Sequence, residues 1–414
     1  MDSSLYLYLL MPFISGVVGW ATNVIALKMT FYPIEFLGPR LWQPEGSPFG
    51  LFGWQGIIPA KAAQMAAKTV HLMTTKLIDL QEVFSRIDPD EFSRVMEKGL
   101  LRMLDAIVNT TARAYAPRVW DALPKDVRDE IIFKLLDDSP QMLRAFMHEV
   151  REDVSAVLDL EHMVVSTVTR DKMIINRIFL ACGAEEFVFI ERSGFYFGFL
   201  FGIVQTIAWW LYPQSWLLPV CGFVNGYATN AFALKIIFQP LEPKRCCGLT
   251  VHGLFLRRQR EVSKIFAERI TQDVMTTHRL WMAILHGPRH EVFDRKLAKH
   301  VELFVNDNLG PRLRKVLEKQ LGEETAASMK RQIAESICEQ LPLHIAYSYD
   351  YTTEALRLEE TLRTAMQELS YAEFEGVLHP VFEEDELKLI LVGGFLGAAV
   401  GLFQLVVMFG GGSS

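Results

Sequence analysis

Two stretches decide the fold: Gly19-Trp-Ala-Thr-Asn-Val-Ile-Ala-Leu-Lys-Met-Thr-Phe-Tyr-Pro-Ile-Glu35 and Gly226-Tyr-Ala-Thr-Asn-Ala-Phe-Ala-Leu-Lys-Ile-Ile-Phe-Gln-Pro-Leu-Glu242. One constant offset relates several positions of the first stretch to identical residues in the second: Gly19, Thr22, Asn23, Lys28, Phe31, Pro33 and Glu35. A constant offset over a whole stretch is typical of an internal repeat. The sequence therefore predicts two copies of one structural unit.

A second pattern closes each copy. Gly194, Gly198, Gly202 and Gln205 have the same spacing of four, four and three residues as another set, which is Gly393, Gly397, Gly401 and Gln404. Each copy is therefore predicted to be an apolar helix, a large helical domain and a second apolar helix. Because both copies run in the same direction, we expect parallel repeats related by an axis along the membrane normal.

The distribution of charge places the apolar helices. Asp2 is the only charge before Lys28, and there is none between Arg192 and Lys235 or after Lys388. A helix that spans a bilayer needs about 20 apolar residues, so these windows predict four spans. The predicted divisions are transmembrane helices at 1–31, 193–211, 216–238 and 388–409, helical domains at 32–192 and 239–387, and a flexible, linker-like tail at 410–414.

The basic residues predict the orientation. All 42 lysines and arginines lie within 28–192 and 235–388. Positive residues near span ends favour the cytoplasmic side, so we expect both large domains there, or on the equivalent side of an organelle, and both termini on the opposite side. The first span has no basic leader and no small-residue cleavage site, which indicates a retained helix. Which membrane holds the protein is left open.

Composition excludes several classes of protein. The formal net charge of −7 over 414 residues argues against a nucleic-acid partner, which would require a strongly basic surface. The five cysteines form no disulfide framework. Cys246 and Cys247 follow the third span closely, and lipidation of this pair is one hypothesis, unmodified thiols being the simpler alternative.

Polar residues inside the predicted spans form a candidate site: Thr22, Asn23, Gln205, Thr229, Asn230 and Gln404. At about 1.5 Å per residue, Asn23 should lie near the depth of Gly198, and Gln205 near that of Ser15. Each copy should thus form a tightly packed antiparallel helix pair. We expect the amides to stabilise helix packing, and the alternative is that they line a polar path.

The ends of the spans carry predicted interfacial anchors. Lys28 and Lys235 can extend their ammonium groups from the apolar region to the headgroups. Trp42 and Trp54 lie in a segment between Pro39 and Pro59 that is rich in glycine, proline and aromatic residues. Such a composition beside a span predicts an interfacial hairpin or re-entrant loop.

Between the spans the pattern is helical. Apolar residues recur at helical spacing from Lys61 to about Cys182 and from Arg257 to about Leu378, with no alternating strand signal. The predicted class is an all-α membrane protein in which each repeat encloses a large amphipathic helical domain. An ordinary bundle core is the simpler interpretation of the apolar faces, and the alternative is a lipid-accepting groove around Leu77 and Phe84.

Signals for chemistry are weak. His379 and Glu383 lie one helical turn apart, which is a poor basis for a metal site. No serine, threonine or histidine has partners at catalytic spacing, and no glycine-rich phosphate loop follows a strand. We therefore expect no enzyme activity, cofactor or metal.

Several motifs together carry a family resemblance. These are the two Gly-x-x-Thr-Asn-x-x-Ala-x-Lys-x-x-Phe-x-Pro stretches, Gly56-Ile-Ile-Pro59, the segment Gly183–Glu191 before the second span, and the closing glycine stripes. In combination they resemble the bacterial and plastid-lineage membrane family called domain of unknown function 445. The second copy departs from the Ile-Pro element, reading Gly253-Leu-Phe-Leu. The resemblance implies a multi-pass membrane protein and no particular mechanism.

Two functions remain open from the sequence. The first is a non-enzymatic protein whose helical domains engage membrane lipid or a protein partner at the cytoplasmic face, in lipid handling or envelope organisation. The second is a small-solute transporter or channel formed by the four spans. Glycine-rich helix faces also favour a homo-oligomer, although the same faces can pack within one chain.

Overall fold

The fold was analysed in a computed structural model that describes residues 3–39, 47–246, 249–378 and 380–409. The first half of the chain forms eleven helices: α1 (Ser3–Phe31), α2 (Ile57–Ala60), α3 (Ala62–Leu72), α4 (Leu80–Ser85), α5 (Pro89–Tyr115), α6 (Pro117–Ala122), α7 (Lys125–Glu152), α8 (Val154–Val157), α9 (Leu160–Arg170), α10 (Met173–Cys182) and α11 (Ala184–Leu211). A π-helical turn at Met73–Leu77 follows α3.

The second half is also largely helical. Its described helices are α12 (Leu217–Phe238), α13 (Leu254–Arg257), α14 (Gln259–Asp273), α15 (Thr277–His286), α16 (His290–Leu321), α17 (Glu323–His344), α18 (Tyr349–Leu356), α19 (Leu358–Glu368), α20 (Tyr371–Leu378) and α21 (Pro380–Phe409). A short 3-10 turn at Ile345–Ser348 precedes α18. The predicted all-α membrane class is confirmed.

Four helices are long and apolar enough to cross a membrane, at Tyr8–Phe31, Ala184–Leu211, Leu217–Phe238 and Leu387–Val407. Four helices of sufficient length and apolar composition therefore lie where the sequence predicts spans. The helix of the second span begins at Ala184 rather than at residue 193, because the polar lead-in continues the same helix. Both α1 and α12 end immediately before an X-Pro pair, which is expected because proline cannot continue a helix.

Two small hairpins follow the first and third spans. Strand β1 (Phe49–Gly50) pairs with β2 (Gly53–Trp54), and β3 (Lys244–Cys246) pairs with β4 (Leu249–Val251), both antiparallel. The first lies in the segment predicted to be an interfacial hairpin or re-entrant loop, and the second was not predicted. Strands of two or three residues are too short to show the two-residue alternation that identifies a strand in sequence.

The chain divides into two compact units, each drawn from both halves of the sequence. The membrane unit comprises Met1–Leu72, Val168–Ile270 and Leu362–Ser414, and the helical unit comprises Met73–Thr167 and Thr271–Thr361. The predicted domains 32–192 and 239–387 each contribute segments to both units. The tail 410–414 lies outside the described residues.

The helical unit has an ordinary apolar core. Helix α5 packs on α7 and α17, and α16 packs on α7 and α17. Phe146 on α7 meets Phe293 on α16 edge to face, with ring centroids 5.2 Å apart. Leu77 and Phe84 are buried in this unit, which supports the bundle-core interpretation of these two residues rather than an open groove.

Candidate functional site

The four spans pack as two tight antiparallel pairs within the membrane unit. In the first pair Gly19 on α1 lies against Gly194 on α11, and in the second Gly226 on α12 lies against Gly393 on α21. A Cβ atom at Gly19 or Gly226 would overlap the carbonyl oxygen of the facing glycine. The glycines are therefore required by the close approach of the two backbones.

Asparagines fix each pair near its charged end, which we define as the end that carries Lys28 and Lys235. Asn23 Nδ2 donates to the carbonyl of Ile190 at 2.6 Å, and Asn230 Nδ2 donates to that of Leu389 at 3.1 Å. Asn23 lies beside Gly194, one turn from the predicted Gly198. The depth estimate assumed that Lys28 and Arg192 lie at one level, which long basic side chains do not require.

The threonines of the repeated stretch bond within their own helices. Thr22 Oγ1 donates to the carbonyl of Gly19 at 3.0 Å, and Thr229 Oγ1 to that of Gly226 at 3.1 Å. Each threonine thus satisfies its hydroxyl locally. Neither hydroxyl is left to bind a solute through its donor hydrogen.

A glutamine pair joins the two helix pairs. Ser15 Oγ donates to Gln205 Oε1 at 3.4 Å, and Gln205 Nε2 donates to Gln404 Oε1 at 3.2 Å. The predicted proximity of Gln205 and Ser15 is confirmed, but the contact between the two glutamines was missed. Their equivalent positions in the repeated pattern are the signal that could have suggested it.

Apolar side chains close the bundle one turn beyond the glutamine pair. Met11, Trp209, Leu218 and Leu405 form one buried cluster at this uncharged end. Met11 and Leu218 are fully buried. The cluster separates the glutamine pair from the loop that connects α11 to α12.

An apolar pocket lies at the charged end of the bundle. Its cavity volume is about 50 Å³, and its mouth is open. All four spans contribute to its walls, through Leu27 on α1, Ile190 on α11, Leu234 on α12 and Leu389 on α21. Phe179 and Cys182 on α10 and Phe255 on α13 also line it.

A buried ion pair borders this pocket. Glu186, a lining residue with a side chain 4 % exposed, accepts from Arg258 at 2.7 Å. Arg258 also contacts Glu261 at 2.8 Å and Glu185 at 3.1 Å. The hydrogen bonds that Arg258 donates, first to Glu261 and then to Glu186, raise the pKa of Arg258 above its usual range. The guanidinium is thus fully committed to carboxylates of the same unit.

The remaining lining is uncharged. Burial raises the pKa of the Cys182 thiol to about 12, so the thiol stays protonated. The Thr30 hydroxyl donates to the carbonyl of Ala26 at 3.0 Å. Sequence reasoning did not find this pocket, because its residues look like ordinary span and amphipathic-helix residues.

The structure describes only some of the predicted interfacial residues. Lys28 and Lys235 are exposed at the charged ends of their spans, and Trp54 is 38 % exposed. Trp42 and Cys247 lie outside the described residues, as does His379, and the side chain of Cys246 is not described. Among the described residues, no group of three His, Cys, Asp or Glu side chains could hold a metal ion.

Comparison with known proteins gives one distant relative. The chain is 28 % identical over 142 residues to a UPF0754 membrane protein from Synechococcus sp. (strain JA-2-3B'a(2-13)). The match covers 33 % of this chain and 32 % of the relative, so the chain spans about a third of the length of the curated relative it matches. No protein-family model and no solved structure matches the chain.

The relative's name and the four apolar helices support a membrane protein of an uncharacterised family. The resemblance to domain of unknown function 445 stays a prediction, as does the side of the membrane on which the termini lie.

Proposed function

We propose that the protein is a non-enzymatic membrane protein that binds the apolar chain of a lipid in the pocket at the charged end of its span bundle. The observation that carries this proposal is the lining: apolar side chains from all four spans surround the space.

The chemistry of the lining favours a lipid chain over a polar solute. Glu186 is paired with Arg258, and Thr30 donates its hydrogen to a backbone carbonyl. A polar solute entering here would lose its hydration without gaining new hydrogen bonds from these groups. An alkyl chain has no such cost, because it passes from one apolar environment, the bilayer, to another.

The broader proposal places this site in a duplicated protein. We infer that the two repeats of the sequence form the two antiparallel helix pairs, and that both helical domains lie on the cytoplasmic side or its organellar equivalent. A protein that has both a lipid site and large helical domains would then serve in lipid handling or envelope organisation. Membership of the family called domain of unknown function 445 is part of this proposal, as is a homo-oligomer or protein partner.

Photolabelling with a diazirine-bearing fatty acid tests the site directly. We expect crosslinks to concentrate on 179–190 and on residues around Leu234 when the detergent-purified protein receives one equivalent of probe. Leu234→Trp fills the pocket and should reduce this labelling about tenfold. Phe232→Trp is the matched control, because Phe232 lies on the same helix and is 49 % exposed on its outer surface. Equal labelling of both variants would overturn the lipid site.

One observation favours the second candidate, a small-solute path. The Oδ1 atoms of Asn23 and Asn225 are buried without a hydrogen-bond partner among the described residues. Unpaired amide oxygens at membrane depth can mark a solute route. If the spans conduct, the double substitution Asn23→Leu and Asn230→Leu should abolish glycerol or monovalent-ion flux in proteoliposomes. Absence of flux through the unsubstituted protein would remove this candidate.

A further inference from the structure

The first hairpin is fixed rigidly to the end of the first span. Leu37 and Trp54 exchange backbone hydrogen bonds at 2.9 and 3.1 Å, and Gly56 N donates to the carbonyl of Pro33 at 2.8 Å. Gln55 Nε2 donates to the carbonyl of Ile34 at 2.6 Å. These bonds hold the segment against the point at which α1 leaves the membrane.

This hairpin presents apolar side chains outward. Leu37, Leu51 and Phe52 are 59–62 % exposed, next to the charged end of α1. Between residues 36 and 60 the sequence has one arginine and one glutamate, which balance. An uncharged, exposed apolar surface that continues from a membrane span is suited to the interfacial region of the bilayer.

The second hairpin occupies the equivalent place after the third span but has different chemistry. Gly253 N donates to the carbonyl of Pro240 at 3.1 Å, as Gly56 does to Pro33. Lys244, Arg245 and Arg257 are exposed and have no ion pair among the described residues. Within the hairpin segment 239–246, Glu242 is the carboxylate beside Lys244 and Arg245, so this segment carries a net charge of +1.

We propose that the second hairpin binds anionic phospholipid headgroups, through Lys244 and Arg245 with Arg257, on the leaflet into which the first hairpin inserts. The charged ends of α1 and α12 both line the same pocket, so the two hairpins follow spans that leave the membrane at one face. The contact of the first hairpin with the membrane is apolar and insensitive to lipid charge. The second depends on electrostatic attraction between basic side chains and anionic lipid, which falls off within a Debye length. The proposal does not rest on lipid binding in the pocket.

Hydrogen–deuterium exchange of the full chain in nanodiscs tests it. One set of discs contains phosphatidylcholine alone, and the other also contains phosphatidylglycerol as about one third of the lipid. We expect segment 239–246 to exchange on the order of tenfold more slowly in the anionic discs at low salt, and segment 47–56 to exchange equally in both. High salt should abolish the difference at 239–246.

Substitutions decide whether the basic residues carry the effect. Lys244→Gln with Arg245→Gln should remove the lipid-dependent protection of segment 239–246. Lys98→Gln with Lys125→Gln is the matched control, because it removes two exposed lysines from the helical unit, and it should leave the protection intact. Equal exchange in the two lipids, or protection that survives Lys244→Gln with Arg245→Gln, would overturn the proposal.

Discussion

At the scale of single residues, the glutamine pair is where the two halves of the span bundle meet through polar groups. Gln205 and Gln404 are both buried, and one amide donates to the other. Inside a bilayer no water replaces a lost partner, so each amide depends on the other. The pair therefore joins α11 and α21 with a specificity that apolar contacts alone do not supply.

The losses of stability from replacing the two glutamines should not be additive. Gln205→Leu leaves Gln404 without its donor and should lower the free energy of unfolding by about 1–2 kcal/mol. Gln404→Leu added to Gln205→Leu should cost little more. A double-mutant cycle measured by unfolding in detergent checks this, with the lipid-facing Val204→Leu as control. Fully additive losses would show that the amides act independently.

In the helical unit, Glu149 is the residue whose titration should be visible. Its carboxylate on α7 accepts from His300 at 2.9 Å and from Lys299 and Lys296 at 3.1 and 3.2 Å, all on α16. These hydrogen bonds, that of His300 first, hold the pKa of Glu149 at about 2. The ionised form therefore links α7 to α16.

The pH dependence follows from the sign of this shift. The folded pKa lies below the usual glutamate value of about 4.3, so the stabilisation is present above that pH and is lost as pH falls toward 2. Glu149→Gln should remove that part of the acid sensitivity, on the order of 1 kcal/mol for a partly exposed pair. Thermal unfolding followed by circular dichroism from pH 7 to about 2 measures it. Glu130→Gln, an exposed carboxylate on the same helix, should keep the original profile.

At the scale of elements, the antiparallel helix pairs depend on glycines that permit backbone contact. Gly226→Ala places a methyl group against the carbonyl of Gly393 and should destabilise the protein by about 1–3 kcal/mol. Gly376→Ala on α20 has open space around the added methyl and should be neutral or stabilising, because alanine favours a helix. Unfolding temperatures in one detergent compare the two variants. Equal stability of both would mean that the pairs are packed more loosely than described.

The sequence predicts some elements well and others poorly. Charge-free windows predict the spans, because a helix that crosses a bilayer needs a long apolar stretch. The stripe from Gly194 to Gly202 predicts a close helix contact, because small residues let two helices approach. The hairpin at Phe49 lies in the segment for which the sequence predicts a hairpin or re-entrant loop, but the hairpin at Lys244 escapes prediction, since its strands are three residues long. Backbone hydrogen bonds to the end of a span fix both hairpins in place, and a local sequence pattern does not show such bonds.

At the scale of the whole molecule, the chain passes between two compact units four times. Amphipathic periodicity shows that a helix has an apolar face, but it does not show which helix covers that face. The pairing of α7 with α16, far apart in sequence, could therefore not be predicted. The pocket could not be predicted for the same reason. Its lining residues Leu27, Leu234 and Leu389 are ordinary span residues in the sequence, and only the packing of three helices brings them together.

The most direct test of lipid binding in this pocket is native mass spectrometry of the detergent-purified protein, with identification of the lipid that it retains. We predict one lipid per chain in the unsubstituted protein and in Phe232→Trp, and loss of that lipid in Leu234→Trp. A Leu234→Trp variant that keeps the same lipid at the same stoichiometry would contradict the account.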